Sequence, residues 1–172
     1  MQKEHSDHSP SKHNFSLCYL TTDIRTPSNI GGLFRIADAL GIEKIYLAGT
    51  SLLPPNSKIR KVSRSTEQHV PYQYEGDALE AVLNLKREGY RIICLEITSN
   101  SVELSQVPIV EGDKVCLVLG SEKDGISPEL LKVADATVHI AMQGVNSSMN
   151  VVSACAIATY EITKKIGSDQ AG

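Results

Sequence analysis

Tryptophan is absent from the chain, and only two phenylalanines accompany its six tyrosines. A binding surface built on stacked aromatic rings therefore has little to draw on. Cysteine is sparse and scattered: Cys18, Cys94, Cys116 and Cys155 each sit in an apolar segment, and no two form a C-x-x-C pair. This spacing argues against a zinc site and predicts buried, reduced thiols, as in a cytoplasmic protein. No excess of one charge exists either. The 17 Lys and Arg against 20 Asp and Glu leave a net charge of −3, unlike the broad basic surplus of many nucleic-acid-binding domains. No apolar run approaches the ~20 residues that cross a bilayer, so no membrane partner is expected. The N-terminal "MQKEHSDHSPSKHN" has no apolar core and does not read as a secretory signal.

Several familiar motifs are missing too. There is no G-x-x-x-x-G-K-[ST] phosphate loop, no G-x-G-x-x-G after a strand, and no G-x-S-x-G elbow. His69 and His139 are isolated, and His139 inside "TVHIAM" reads as a structural strand residue.

What is present is alternation. The 172 residues suffice for one domain with a sizeable core. Residues 1–14 read as a disordered polar tail holding three of the five His, 15–166 as one domain, and 167–172 as a flexible end. Six segments read as strands: Phe15–Leu20, "KIYLAG", "HVPYQY", "YRIICLEI", Lys114–Gly120 and "TVHIAM". Pro71 pushes the third to a sheet edge. Helical periodicity covers Asn29–Gly41, "DALEAVLNLKREG", "SPELLKVA" and Met149 to about Lys165. Ser127 and Pro128 mark the start of the third helix. The stretch "LLPPNSKIRKVSRST" reads as a long connection. Strands alternating with helices predict an α/β domain, with a mostly parallel sheet flanked by helices.

Ligands of such sheets bind beyond the carboxyl ends of the strands. Three of these ends carry unusual chemistry. After the first strand, "NIGGLFR" offers Asn29 as a helix cap, Gly31 and Gly32 as an open first turn, and Arg35 as an anion partner. "LGSEKDGIS" places Glu122 at the mouth of a buried strand, between Gly120 and Gly125. "MQGVNSSMN" packs two Asn and two Ser around the start of the last helix, where Asn146, Ser147 or Ser148 would cap it. Separately, Lys58, Arg60, Lys61 and Arg64 fall within seven residues, a cluster suited to phosphate contact.

Taken together, the three strand-end segments resemble the SpoU/TrmH branch of the SPOUT superfamily of RNA methyltransferases. Its N-x-G-x-x-x-R motif is matched by Asn29, Gly31 and Arg35, and its L-G-x-E-x-x-G motif by Leu119, Gly120, Glu122 and Gly125. Its third motif, roughly I-P-M-x-G-x-x-x-S-L-N-V-S-x-A, is matched by Ile140, Met142, Gly144, Ser148, Asn150 and Val151. Ala141 stands where the family carries Pro, and Met149 where it carries Leu. The resemblance implies S-adenosylmethionine-dependent methylation of a ribose 2′-hydroxyl in tRNA or rRNA, a C-terminal deep trefoil knot, and a homodimer. It implies Arg35, Asn29, Glu122, Ser148 and Asn150 as catalytic residues. Leu95, Leu119, Gly120, Ile140, Met142 and Met149 would line the cofactor. Lys58, Arg60, Lys61, Arg64 and Lys164 would hold RNA. A non-catalytic RNA-binding or assembly protein of the same fold is the alternative reading.

Overall fold

The computed structural model describes residues 16–167. The expected tails at 1–14 and 167–172 lie outside these residues except for Gly167, and so does Phe15. Seven strands form one sheet: β1 (Leu17–Thr22), β2 (Lys44–Ala48), β3 (Tyr72–Glu75), β4 (Arg91–Leu95), β5 (Val102–Glu103), β6 (Val115–Gly120) and β7 (Ala136–His139). Their order is β3-β2-β1-β6-β4-β7-β5, and every pairing is parallel. β3 is an edge strand, with Pro71 just before it, as expected. β4 lies between β6 and β7, two strands that follow it in the chain.

Side-chain alternation along the central strands sorts the core into two layers. Leu17, Tyr19, Leu117, Leu119 and Ile93 face one side, against α1 (Pro27–Leu40) and α5 (Val151–Ile166). Cys18, Leu20, Cys94, Cys116 and Val118 face the other, against α3 (Ala78–Arg87) and α4 (Pro128–Val133). All six residues of β1 and of β6 are buried, which suits strands covered on both faces. The four cysteines are buried and unpaired. A buried hydrogen bond of 2.6 Å between Tyr19 Oη and Thr159 Oγ1 pins α5 to β1.

One α-helix and one strand escaped the sequence pattern. The connection after β2 contains α2 (Ser57–Ser63), started by Asn56, whose Oδ1 accepts from Lys58 N at 2.9 Å and Ile59 N at 3.1 Å. β5 is two exposed residues, too short to show a period.

Helix starts also differ from expectation. α1 begins at Pro27 with Thr26 as its cap, so Asn29 is not the cap but a buried residue of the first turn. Gly31 and Gly32 do not leave that turn open. A Cβ on Gly31 would sit 2.7 Å from the Ile59 carbonyl of α2, and one on Gly32 would sit 2.9 Å from Val152 of α5. The two glycines let three helices approach closely. α5 is capped by Asn150, whose Oδ1 accepts from Val152 N at 2.8 Å, and not by Asn146, Ser147 or Ser148.

Among the described residues no helix is long and apolar enough to cross a membrane. No group of three or more metal-ligating side chains is found among them either.

Candidate active site

β4, β6 and β7 end side by side, and α5 starts just above them. Between these elements lies a cleft of about 460 Å³, within the size range of small-molecule sites. Gly120 forms part of its floor. A Cβ there would meet the Gly125 carbonyl carbon at 2.5 Å, so the loop after β6 folds back tightly over the strand end. Gly125 turns that loop with φ +65°. Glu96, at the end of β4, holds the loop from the other side: its Oε2 accepts from Ile126 N at 3.0 Å.

One side chain gathers the three motifs. Asn150 donates from Nδ2 to Asn29 Oδ1 at 3.1 Å and to Glu122 Oε1 at 3.0 Å. Its Oδ1 meanwhile caps α5. Both amide protons are therefore spent on the protein. Asn29 is 7% exposed and sits in the first turn of α1, brought to the cluster by the close packing at Gly32. Glu122 keeps Oε2 without a hydrogen-bond partner among the described residues, and its side chain is open to solvent. Ser148 borders the cleft and makes no side-chain hydrogen bond among the described residues.

Of the residues expected to line a cofactor, Leu95, Gly120, Ile140, Met142 and Met149 border the cleft. Leu119 does not. Its side chain points into the core shared with α1 and α5, as strand alternation requires for the neighbour of Gly120. Arg35 lies outside the cleft wall, exposed on α1, with no hydrogen bond or ion pair among the described residues. Lys164 is 14 residues along α5 from Asn150, about 20 Å at the helical rise. It stacks its ammonium over the Tyr160 ring at 4.2 Å and takes no part in the cleft.

Lys58, Arg60 and Lys61 lie on α2, and Arg64 is its C-terminal cap. Arg60 is not free: its Nε lies 3.3 Å from the buried Glu67 carboxylate. Burial works against the charge of Glu67, but hydrogen bonds from Ser63, its own amide and Arg60 outweigh it and hold the carboxyl below its ordinary range. Lys58, Lys61 and Arg64 are exposed and unpaired among the described residues.

Sequence reasoning did not bring Glu96, His139 or Ser101 to this cleft. Glu96 and His139 border it, and Ser101 bonds to the imidazole of His139. Glu96 carried a usable signal, a carboxylate immediately after a buried strand. His139 and Ser101 carried none beyond their places near strand ends.

The parallel sheet and its cleft define an α/β protein of the kind that binds ligands at strand carboxyl ends. Residues 17–160 match the model of the SpoU rRNA Methylase family, and the chain belongs to that family. It is 29% identical over 148 residues to the tRNA (guanosine(18)-2′-O)-methyltransferase of Escherichia coli (strain K12), covering 83% of this chain and 60% of that protein. The chain thus spans little more than half the length of this curated relative. An AdoMet-bound rRNA methyltransferase from Sinorhizobium meliloti superposes with a TM-score of 0.80 at 22% identity, over 89% of this chain and 57% of that one. A solved structure described as giving insights into the 2-OH methylation of C/U34 on tRNA superposes with a TM-score of 0.76 at 25% identity. That match takes in 88% of this chain and 96% of the other.

Proposed function

We propose that this protein transfers a methyl group from S-adenosylmethionine to a ribose 2′-hydroxyl of RNA. The observation that carries the reading is the Asn29–Asn150–Glu122 cluster. Residues from three motifs, 121 and 28 positions apart, meet on one amide at the mouth of a nucleoside-sized cleft.

The cleft wall fits the cofactor in charge and in polarity. It holds Glu96 and Glu122 and no lysine or arginine, a setting that favours a cationic sulfonium. Leu95, Ile140, Met142 and Met149 supply the apolar surface for a nucleoside. Bound there, S-adenosylmethionine supplies an electrophilic methyl carbon. The protein must then align a hydroxyl with it and remove a proton. Glu122 is the acceptor on this reading. Asn150 holds Oε1, and Oε2 remains open to the hydroxyl proton. Arg35 is unsuited to be a base, since a guanidinium keeps its proton. Its role is to hold the neighbouring phosphate and offset the developing alkoxide charge. The deep C-terminal knot belongs to the same reading, and the placement of β4 between β6 and β7 supports it.

We infer that two copies pair through α5. Its exposed stripe, Ser153, Ile157, Tyr160 and Lys164, recurs at helical spacing, with Ile157 46% and Tyr160 57% exposed. Lys58, Lys61 and Arg64 serve as RNA phosphate contacts on this reading. Replacing all three by Ala is expected to weaken RNA binding at every sequence and to lower the slope of log affinity against log salt by up to about 2–3. An unchanged slope in a salt titration would remove α2 from the interface. The test of the function itself is incubation of the protein with tRNA or rRNA fragments and methyl-labelled cofactor, followed by mapping of 2′-O-methyl positions. Label found only on bases, or none transferred to either RNA class, would reject it.

A further inference from the structure

His139 ends β7 and borders the cleft. Its Nδ1 lies 2.9 Å from Ser101 Oγ. That hydroxyl already has two other partners: it accepts from Thr98 N at 3.0 Å and donates to Thr98 O at 2.9 Å. A serine has one hydroxyl proton. Thr98 O and His139 Nδ1 both lie within reach of that proton; where Thr98 O takes it, Ser101 can only accept from the imidazole and Nδ1 carries the ring's hydrogen. Nε2 is then a bare lone pair, and it has no partner among the described residues. In that arrangement the loop after β4 sets the tautomer of a histidine that borders the cleft and leaves its Nε2 as an acceptor.

We infer that His139 selects the nucleobase of the cofactor, its Nε2 accepting a hydrogen bond from the exocyclic amine of adenine. The inference rests on the cleft being the S-adenosylmethionine site. Its placement follows from the sheet. The strands run β6-β4-β7 across the cleft floor. Glu122 and Asn150 stand at the β6 side and His139 at the β7 side, two strand spacings away, or about 10 Å. The reacting methyl carbon belongs beside Glu122, so the adenine end of the cofactor falls at the β7 side. There Leu95, paired with Val138 next to His139, and Ile140 supply flat apolar contact. The same separation keeps His139 away from the reacting hydroxyl, so it is a specificity residue and not the base.

The test is calorimetric binding of S-adenosylhomocysteine and of its inosine counterpart, in which a carbonyl replaces the amine, to the full-length chain. Wild-type protein should prefer the adenine ligand. His139→Asn keeps a polar atom near the Nδ1 position but has nothing at Nε2. It should lose about five- to tenfold in affinity for the adenine ligand and little for the inosine one. His139→Gln, which reaches the Nε2 position, should recover most of the preference. A nitrogen-15 spectrum of the imidazole should show the Nδ1–H form in the free protein. An Nε2–H form, or an equal preference in wild type and His139→Asn, would overturn the inference while leaving the cofactor site standing. Wild-type protein that binds neither ligand would overturn both.

Discussion

In the Asn150→Asp variant, methyl transfer falls by about a hundredfold or more, while the cap of α5 is kept. The two effects separate because Asn150 does two jobs with different atoms. Its Oδ1 caps α5, and Asp is as good a cap as Asn. Its Nδ2 joins Asn29 to Glu122, and Asp cannot donate there. The new carboxylate instead faces the Glu122 carboxylate at hydrogen-bond range and pushes it out of position. Loss of a positioned proton acceptor costs about 10²–10⁴ in rate, which sets the expected fall. Asn150→Ala gives the complementary result. It loses the cap as well, so about 1 kcal/mol of stability goes with the activity. Urea unfolding alongside a methyl-transfer assay reads both quantities. Asn150→Asp protein that turns over at the wild-type rate would show that the cluster is only a helix cap.

Strand alternation and helix periodicity make most of the sheet legible in the sequence, since buried runs such as "KVCLVLG" have few other uses. α2 was not legible because Ile59 and Ser63 are the only residues it buries, too few to make a pattern. β5 failed for a similar reason: two exposed residues have no period. In the site, Asn29, Glu122 and Asn150 were visible through their motifs, but their meeting point was not, because only packing sets a contact across 121 residues. The parity of β6 held enough information to separate Gly120 from Leu119. Leu119 shares a face with Leu117 and Val115, and that face belongs to the core. His139 looked like a structural strand residue, and half of that reading stands: its ring is indeed fixed by a loop hydrogen bond. What spacing could not show is that this residue borders the cleft and that its other nitrogen has no partner among the described residues.

Arg35→Ala is expected to abolish methyl transfer while leaving cofactor affinity within about twofold, because Arg35 lies outside the cleft wall. Its position poses a geometric question. It is exposed on α1 and bonds to nothing among the described residues, whereas Glu122 and Asn150 are already joined. If two copies pair through α5, which packs against α1 at Gly32, Arg35 of one copy is available to the cleft of the other. Mixing inactive variants decides this. Arg35→Ala and Glu122→Gln chains, unfolded and refolded together in equal amounts, give mixed dimers as half of the population. In each mixed dimer one cleft pairs an intact Glu122 with an intact Arg35 from the other chain. Activity should then return to about one quarter of wild type for a two-fold symmetric pair. If Arg35 serves its own cleft, every cleft carries one defect and no activity returns, which would leave the dimer without a catalytic role. Full turnover by the Arg35→Ala variant alone would instead remove Arg35 from the mechanism and leave Glu122 to work without a cationic partner.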